Sequence, residues 1–273
     1  MSATTRRAAV AGRFYPRDRE TLLTDVRSYL KLEDQPEEKR VSALGCIVPH
    51  AGYIYSGQVA GAVYAGIKIP QQCVILCPNH TGMEPPLSIM STGSWETPLG
   101  MVPVDTSLAE KLKRRFPFLT EDAEAHRAEH AVEVHLPFLQ ILRPDLSFVP
   151  IVVGTSEFEV LESLGAVLAE TLADAQPALI IASSDMNHYE NDAVTRKKDH
   201  KAIERILALD PRGLFDVVIK EKISMCGFGP AVAMLTAAKC LDAHSAELVQ
   251  YATSGDVSGD RRLVVGYAGV VVR

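Results

Sequence analysis

The 273-residue chain is 47% hydrophobic and 23% charged, with a formal net charge of −6, the balance of a soluble globular protein. It has no basic cluster or aromatic-studded basic stripe, which argues against a nucleic-acid-binding surface, and no apolar run approaching the roughly 20 residues of a membrane helix. Its five cysteines are scattered, which speaks against a disulfide framework and for a reducing, cytoplasmic setting.

The length suits one large α/β domain or two small ones. Met1 to Arg7 is basic, but too few apolar residues follow before Arg13 for a signal peptide. Arg13-Phe14-Tyr15-Pro16 reads as a docking segment. Asp18 is expected to cap a helix running to about Leu32, with Leu22, Leu23, Val26 and Leu30 on one face. Glu33 to Arg40 is charged, contains Pro36 and reads as a surface loop.

The apolar run Leu44 to Val48 stops at Pro49-His50-Ala51-Gly52, and a helical pattern follows from Ser56 to Ile67. Cys73 to Cys77 is a second apolar run, ending in Pro78-Asn79-His80. An α/β protein presents functional side chains at the carboxyl ends of strands, in the turn before a helix. Two histidines in that position suggest a shared site. The spacing matches no local zinc motif, so any ligands must converge through the fold.

Gly93, Pro98, Gly100 and Pro103 punctuate 85–105, which reads as a hairpin excursion. A helix is expected over Ser107 to Arg115. Glu129 to Leu139 has helical spacing at Val132, Leu136 and Leu139, with Pro137 bending or ending its first part. On that helix His130 and His135 stand five apart, unlike the His-Glu-x-x-His pair of metalloproteases, so one is expected to face a cleft and the other to pack.

Ser147 to Val153 is predicted as a strand and Ser156 to Leu172 as a helix, with Val160, Leu161, Leu164, Val167 and Leu168 inward. Ala178 to Ala182 is another strand, ending in Ser183-Ser184-Asp185-Met186-Asn187-His188. Asp185 and His188 suit an acid–base or metal-associated pair. A nucleophilic serine is disfavoured, because there is no Gly-x-Ser-x-Gly elbow and both hydroxyls precede the turn. A helix is expected from Asp192 to Leu209, stopping at Pro211.

Cys226, before Gly227-Phe228-Gly229-Pro230, opens a predicted helix to Leu241. A helix N-terminus favours thiolate, the form that binds metal or attacks electrophiles. Cys46, Cys73 and Cys240 fit buried apolar patterns, whereas Cys77 ends a strand. Strands at Glu247 to Ala252 and Leu263 to Val272 close the chain. Between them Asp256 and Asp260 lie in a glycine-rich turn that lacks the full calcium-loop ligand series. Alternating strands and helices indicate an α/β fold with a central, mostly parallel sheet and helices on both faces.

Pro49-His50-Ala51-Gly52-Tyr53, Pro78-Asn79-His80, Glu129-His130 with Glu133-Val134-His135-Leu136-Pro137, Ser183-Ser184-Asp185 with His188, and Met225-Cys226-Gly227 occur in this order. Together they resemble the MEMO family, whose prokaryotic members are called AmmeMemoRadiSam system protein B. The resemblance runs from Gly12-Arg13-Phe14-Tyr15 to the closing strand. It implies one domain over residues 1–273, with a fold similar to class III (LigB-like) extradiol dioxygenases. Those enzymes hold Fe(II) with two histidines and a carboxylate.

By motif, the resemblance places metal ligands at His50, His80 and Cys226, and an acid–base histidine at His188. Asp185 is expected to orient His188, and His130 or His135 to contact substrate or O₂. The cysteine replaces the dioxygenase carboxylate. A thiolate supports Fe(II) but also Cu(I) or Zn(II), so ring cleavage is not inherited with the fold.

The leading expectation is a non-haem iron oxidoreductase acting on a small-molecule or peptide ligand. The alternatives are a non-catalytic metal-binding or redox partner of a radical-SAM protein, a zinc hydrolase, and a peptide scaffold. The resemblance implies radical-SAM and AMMECR-type proteins as partners, and size alone suggests a homodimer.

Overall fold

Apolar runs that end in polar turns build the middle of one large sheet in the computed structural model, which describes residues 4–34, 36–82, 85–174 and 177–273. Its strands are β1 (Gly45–Val48), β2 (Gln72–Pro78), β3 (Leu87–Ile89), β4 (Thr120–Glu121), β5 (Ser147–Val153), β6 (Ala178–Ser183), β7 (His188–Glu190), β8 (Ala246–Thr253) and β9 (Val264–Val272). The order is β7-β9-β1-β6-β2-β5-β3-β4, with β8 also paired to β9. The four central strands β1, β6, β2 and β5 are parallel. Antiparallel pairs flank them, β9 against β1 on one side and β3 against β5 on the other.

The central strands are apolar on both faces because each face carries a core. Cys46, Val48, Cys73, Ile75, Cys77, Leu179 and Ile181 pack with Tyr53, Tyr64 and Phe138 on one side. The alternate residues Ile47, Val74, Leu76, Ile180 and Ala182 pack with Leu164, Leu168 and Met234 on the other. Period-two alternation thus divides each strand between two layers of helices, as expected for parallel strands covered on both faces.

Helix starts follow side-chain chemistry. Asp18 accepts from Thr21 N–H and opens Arg19–Leu30, as predicted. The next helix, Tyr53–Gly66, starts three residues earlier than its apolar pattern suggests and packs closely on the first. A Cβ at Gly61 would lie 2.4 Å from the Tyr29 carbonyl oxygen, so only glycine permits that approach.

Three expectations need correction. Glu129 and His130 are not helical; a 3-10 turn covers Glu133–His135 and the helix is Leu136–Leu142, with Pro137 in its first turn. Proline lacks an N–H that the first turn does not use, so it starts this helix rather than ending it. Pro211 likewise begins a helix, Pro211–Lys220, capped by Asp210, beyond the helix Asp192–Leu207. Cys240 is exposed, not buried. In the Glu33–Arg40 loop, Glu37–Lys39 forms a 3-10 turn and Gln35 lies outside the described residues, as do residues 1–3 of the basic N-terminus.

The excursion at 85–105 supplies β3 and a small sheet in which Thr5–Arg6 pairs with Ser94–Thr97, itself paired with Gly100–Pro103. The N-terminal segment is clamped by Glu133. Its buried carboxylate pairs with Arg6 and accepts from Ala9 N–H at 2.8 Å, Val10 N–H at 3.0 Å and the Tyr15 hydroxyl at 2.6 Å. Tyr15→Phe removes one donor from a carboxylate that keeps three. It is expected to cost about 1–2 kcal/mol, read as a lower urea midpoint; an unchanged midpoint would refute this account of the clamp. Among the described residues no helix is long and apolar enough to cross a membrane.

Candidate functional site

The carboxyl ends of β1, β2 and β6 release Pro49-His50, Asn79-His80 and Ser184-Asp185 at one edge of the sheet. The turn before helix Phe228–Cys240 brings Cys226 to the same place. Gly227 allows this: a Cβ there would lie 2.2 Å from the Ser183 carbonyl oxygen, and its N–H donates to Ser184 Oγ at 3.0 Å. One ligand atom from each of His50, His80 and Cys226 lies within 4.8 Å of the others. His50 Nε2 is 3.3 Å from Cys226 Sγ.

His80 is held from behind by Glu129, whose carboxylate accepts both its backbone N–H at 2.7 Å and its Nδ1–H at 2.9 Å. That leaves Nε2 free, the orientation by which a carboxylate prepares a histidine for metal. Burial lowers the pKa of His80, but the Glu129 hydrogen bond and charge outweigh it and leave it raised. Burial raises Glu129, yet His80 and the Ala131 N–H more than offset this and leave it lowered.

Burial pushes the Cys226 thiol up, and the neighbouring Asp185 carboxylate adds to this. The expectation of a thiolate from the helix N-terminus alone is therefore overruled: the helix begins at Phe228, and desolvation is the larger effect. A cation against the sulfur would reverse this balance, since a coordinating thiol is deprotonated.

Above these groups lies a cleft of about 670 Å³, also lined by Phe14, His130, Asp185, His188, Tyr189 and Tyr267. His130 is stacked on His80 with ring centroids 4.7 Å apart, and the tilted Phe14 ring also packs on it at 4.5 Å. Burial lowers the His130 pKa to about 4. His135, by contrast, does not reach the cleft. It is buried behind His50, with burial lowering its pKa to about 3.

Asp185 is not placed as an orienter of His188. It accepts the backbone N–H of His50 at 2.8 Å, and burial raises its pKa to about 6. His188 instead donates Nδ1–H to the Ser224 carbonyl at 2.8 Å, and its backbone N–H donates to Ser224 Oγ at 2.7 Å. Asn187 Oδ1 accepts from Ser224 N–H and Oγ, both at 3.1 Å. Buried Asp199 in turn accepts Asn187 N–H at 2.8 Å. Asp256 serves a helix cap and pairs with Arg196 and Arg261, and Asp260 pairs with Arg262.

Several of these residues carry no local sign in the sequence. Ser224, Asn187 and Asp199 come from three elements and acquire their roles only on folding. Glu129 had a weak signal, as a carboxylate beside His130. Ser183 had a misleading one, as a hydroxyl two residues before an aspartate.

A sequence profile of the family described as Memo-like protein matches residues 6–271. The chain belongs to the MEMO family. A MEMO1 family protein of Pyrobaculum aerophilum is 43% identical over 275 residues, covering 97% of this chain and 98% of that one. One from Aquifex aeolicus is 43% identical over 269 residues, with 97% and 98% covered. One from Methanothermobacter thermautotrophicus is 40% identical over 274 residues, with 96% and 98% covered.

The crystal structure of an uncharacterized protein from Escherichia coli K12 superposes on this MEMO family chain with a TM-score of 0.55 at 13% identity, covering 83% of this chain and 98% of that one. That likeness concerns the fold alone.

Proposed function

We propose that this MEMO family protein is a non-haem iron oxidoreductase, with Fe(II) held by His50 Nε2, His80 Nε2 and Cys226 Sγ. The observation that carries this reading is the convergence of three ligand atoms within 4.8 Å of one another at the floor of a cleft. Two imidazoles and a thiolate suit Fe(II), and also Cu(I) and Zn(II). When bound, Fe(II) supplies redox chemistry and open positions for substrate and O₂.

The protein's own residues supply the rest. Glu129 fixes the His80 ring by taking its Nδ1 proton in a hydrogen bond. Asp185 anchors the backbone that carries His50. His188 has Nδ1–H committed to Ser224, so its Nε2 is free to take or return a substrate proton. Phe14, Tyr189 and Tyr267 give the cleft aromatic walls for the apolar body of a small-molecule or peptide ligand. His130 lies where it can touch that ligand.

Screening oxygen uptake of the Fe(II)-loaded protein against candidate reductants tests the reading. A turnover found with wild type should fall about 100-fold or more in His188→Gln, the scale of general acid–base catalysis, with metal content unchanged. Oxygen-independent activity with zinc as the resident metal would overturn it in favour of a hydrolase. Metal binding without turnover would favour a metal-holding partner of a radical-SAM protein.

A further inference from the structure

We propose that Ser183, His135 and Tyr64 are positioning residues that set the tautomer of His50, and so determine that its ring presents a lone pair, not an N–H, to the cleft. The functional meaning rests on the metal-centre reading; the proton arrangement stands without it.

The Ala131 carbonyl can only accept, and Ser183 Oγ lies 2.6 Å from it. Ser183 therefore spends its single proton there and keeps two lone pairs. Two ring nitrogens approach the same oxygen, His50 Nδ1 at 2.7 Å and His135 Nε2 at 2.7 Å. Both must donate. Ser183, His50 and His135 are at most 1% exposed, and such burial favours the neutral imidazole.

A neutral imidazole has one N–H, so His50 Nε2 and His135 Nδ1 are lone pairs. The Tyr64 hydroxyl lies 2.9 Å from His135 Nδ1 and supplies the donor that position needs. Four hydrogen bonds thus agree on one arrangement.

The reverse arrangement fails at the Ala131 end. If Ser183 donated to His50, its oxygen and the Ala131 carbonyl oxygen would face each other at 2.6 Å in a dry interior with no proton between them. Buried groups left unpaired cost more than paired ones gain, so the network behaves as a unit. Ser183 is the hub because it is the last residue of β6, beside Val48 at the end of β1. Its side chain therefore stands between the His50 turn and the Ala131 turn.

The test uses full-length metal-free protein labelled with ¹⁵N in histidine. Two-bond ¹H–¹⁵N correlation spectra report which ring nitrogen carries the proton. Wild type should show His50 protonated at Nδ1 and His135 at Nε2. In Ser183→Ala the His50 signal should shift to a mixed or Nε2-protonated pattern, and Zn(II) affinity, measured by competition with a chromophoric chelator, should fall 10- to 100-fold.

Tyr64→Phe should perturb the His135 tautomer and weaken Zn(II) binding less than tenfold, because Ala131 still holds the Ser183 proton. This variant and the wild-type spectrum keep the test decisive if Ser183→Ala does not fold. His50 protonated at Nε2 in wild type, or an unchanged His50 tautomer and Zn(II) affinity in Ser183→Ala, would overturn the proposal. If the tautomers are as stated but wild type holds neither Zn(II) nor Fe(II), the metal-centre reading falls and the proton arrangement stands.

Discussion

Cys226→Ala is expected to reduce Fe(II) affinity by at least about 100-fold while leaving the fold intact. The magnitude follows from losing one of the three proposed donors, and the only one of them that would bring a negative charge to the cation. The fold should survive because the turn keeps the Gly227 N–H bond to Ser184 Oγ and loses the long sulfur contacts with Asp185.

His50→Ala should lose metal as completely but be less stable, since it empties a buried position between Ser183 and Cys226. Cys226→Asp offers a carboxylate in place of the thiolate. It should retain some Fe(II) binding while losing selectivity for soft Cu(I). Equilibrium titration under anaerobic conditions, with circular dichroism as the fold control, reads all three. Unchanged metal binding in both alanine variants would remove the proposed centre.

Acid is expected to unfold the metal-free protein well before its carboxylates alone would require. Burial lowers the pKa of His126 and His130 from 6.5 to about 4 and that of His135 to about 3, and it lowers His50 as well. These rings are neutral when folded and titrate near 6.5 when unfolded. Their contribution to stability is full above pH 6.5, is lost progressively below it, and is gone by about pH 4 for His126 and His130 and about pH 3 for His135.

Two buried aspartates act in the opposite sense. Burial raises Asp185 and Asp199 to about 6, so both stabilise the fold as the pH drops below 6. Four buried rings, His50, His126, His130 and His135, lose stability as the pH falls, against two carboxyls that gain it, so the histidines set the sign. The urea midpoint should therefore fall steadily from pH 7 to pH 4. A midpoint that rises over that range would contradict the assignment of these rings as buried and neutral.

The strand ends were legible because a parallel strand buried on both faces is a short apolar run, and its carboxyl end is where polarity returns. That single rule finds His50, His80 and Asp185. The MEMO resemblance joins Cys226 and His188, already candidates by their own positions, to the same site, which no local spacing does. Prolines were less legible. Pro137 and Pro211 look like breaks in a helical pattern, but each sits in a first turn, and Asp210 before Pro211 was the available signal for a start.

The environment of each side chain was not legible at all. Helix position predicts a thiolate at Cys226, but desolvation depends on what closes over the sulfur. Adjacency suggests that Asp185 serves His188, yet it binds the His50 backbone instead, because β1 and β6 are neighbours in the sheet. Ser183, two residues before Asp185, resembles catalytic machinery, but its bonds lead inward to His135 and Ala131.

Anomalous diffraction at the iron edge, from crystals of protein purified without oxygen from its native host, tests the metal centre most directly. The account predicts one strong peak bounded by His50 Nε2, His80 Nε2 and Cys226 Sγ. A zinc-edge signal in its place, or iron bound elsewhere with these three side chains unliganded, would contradict it.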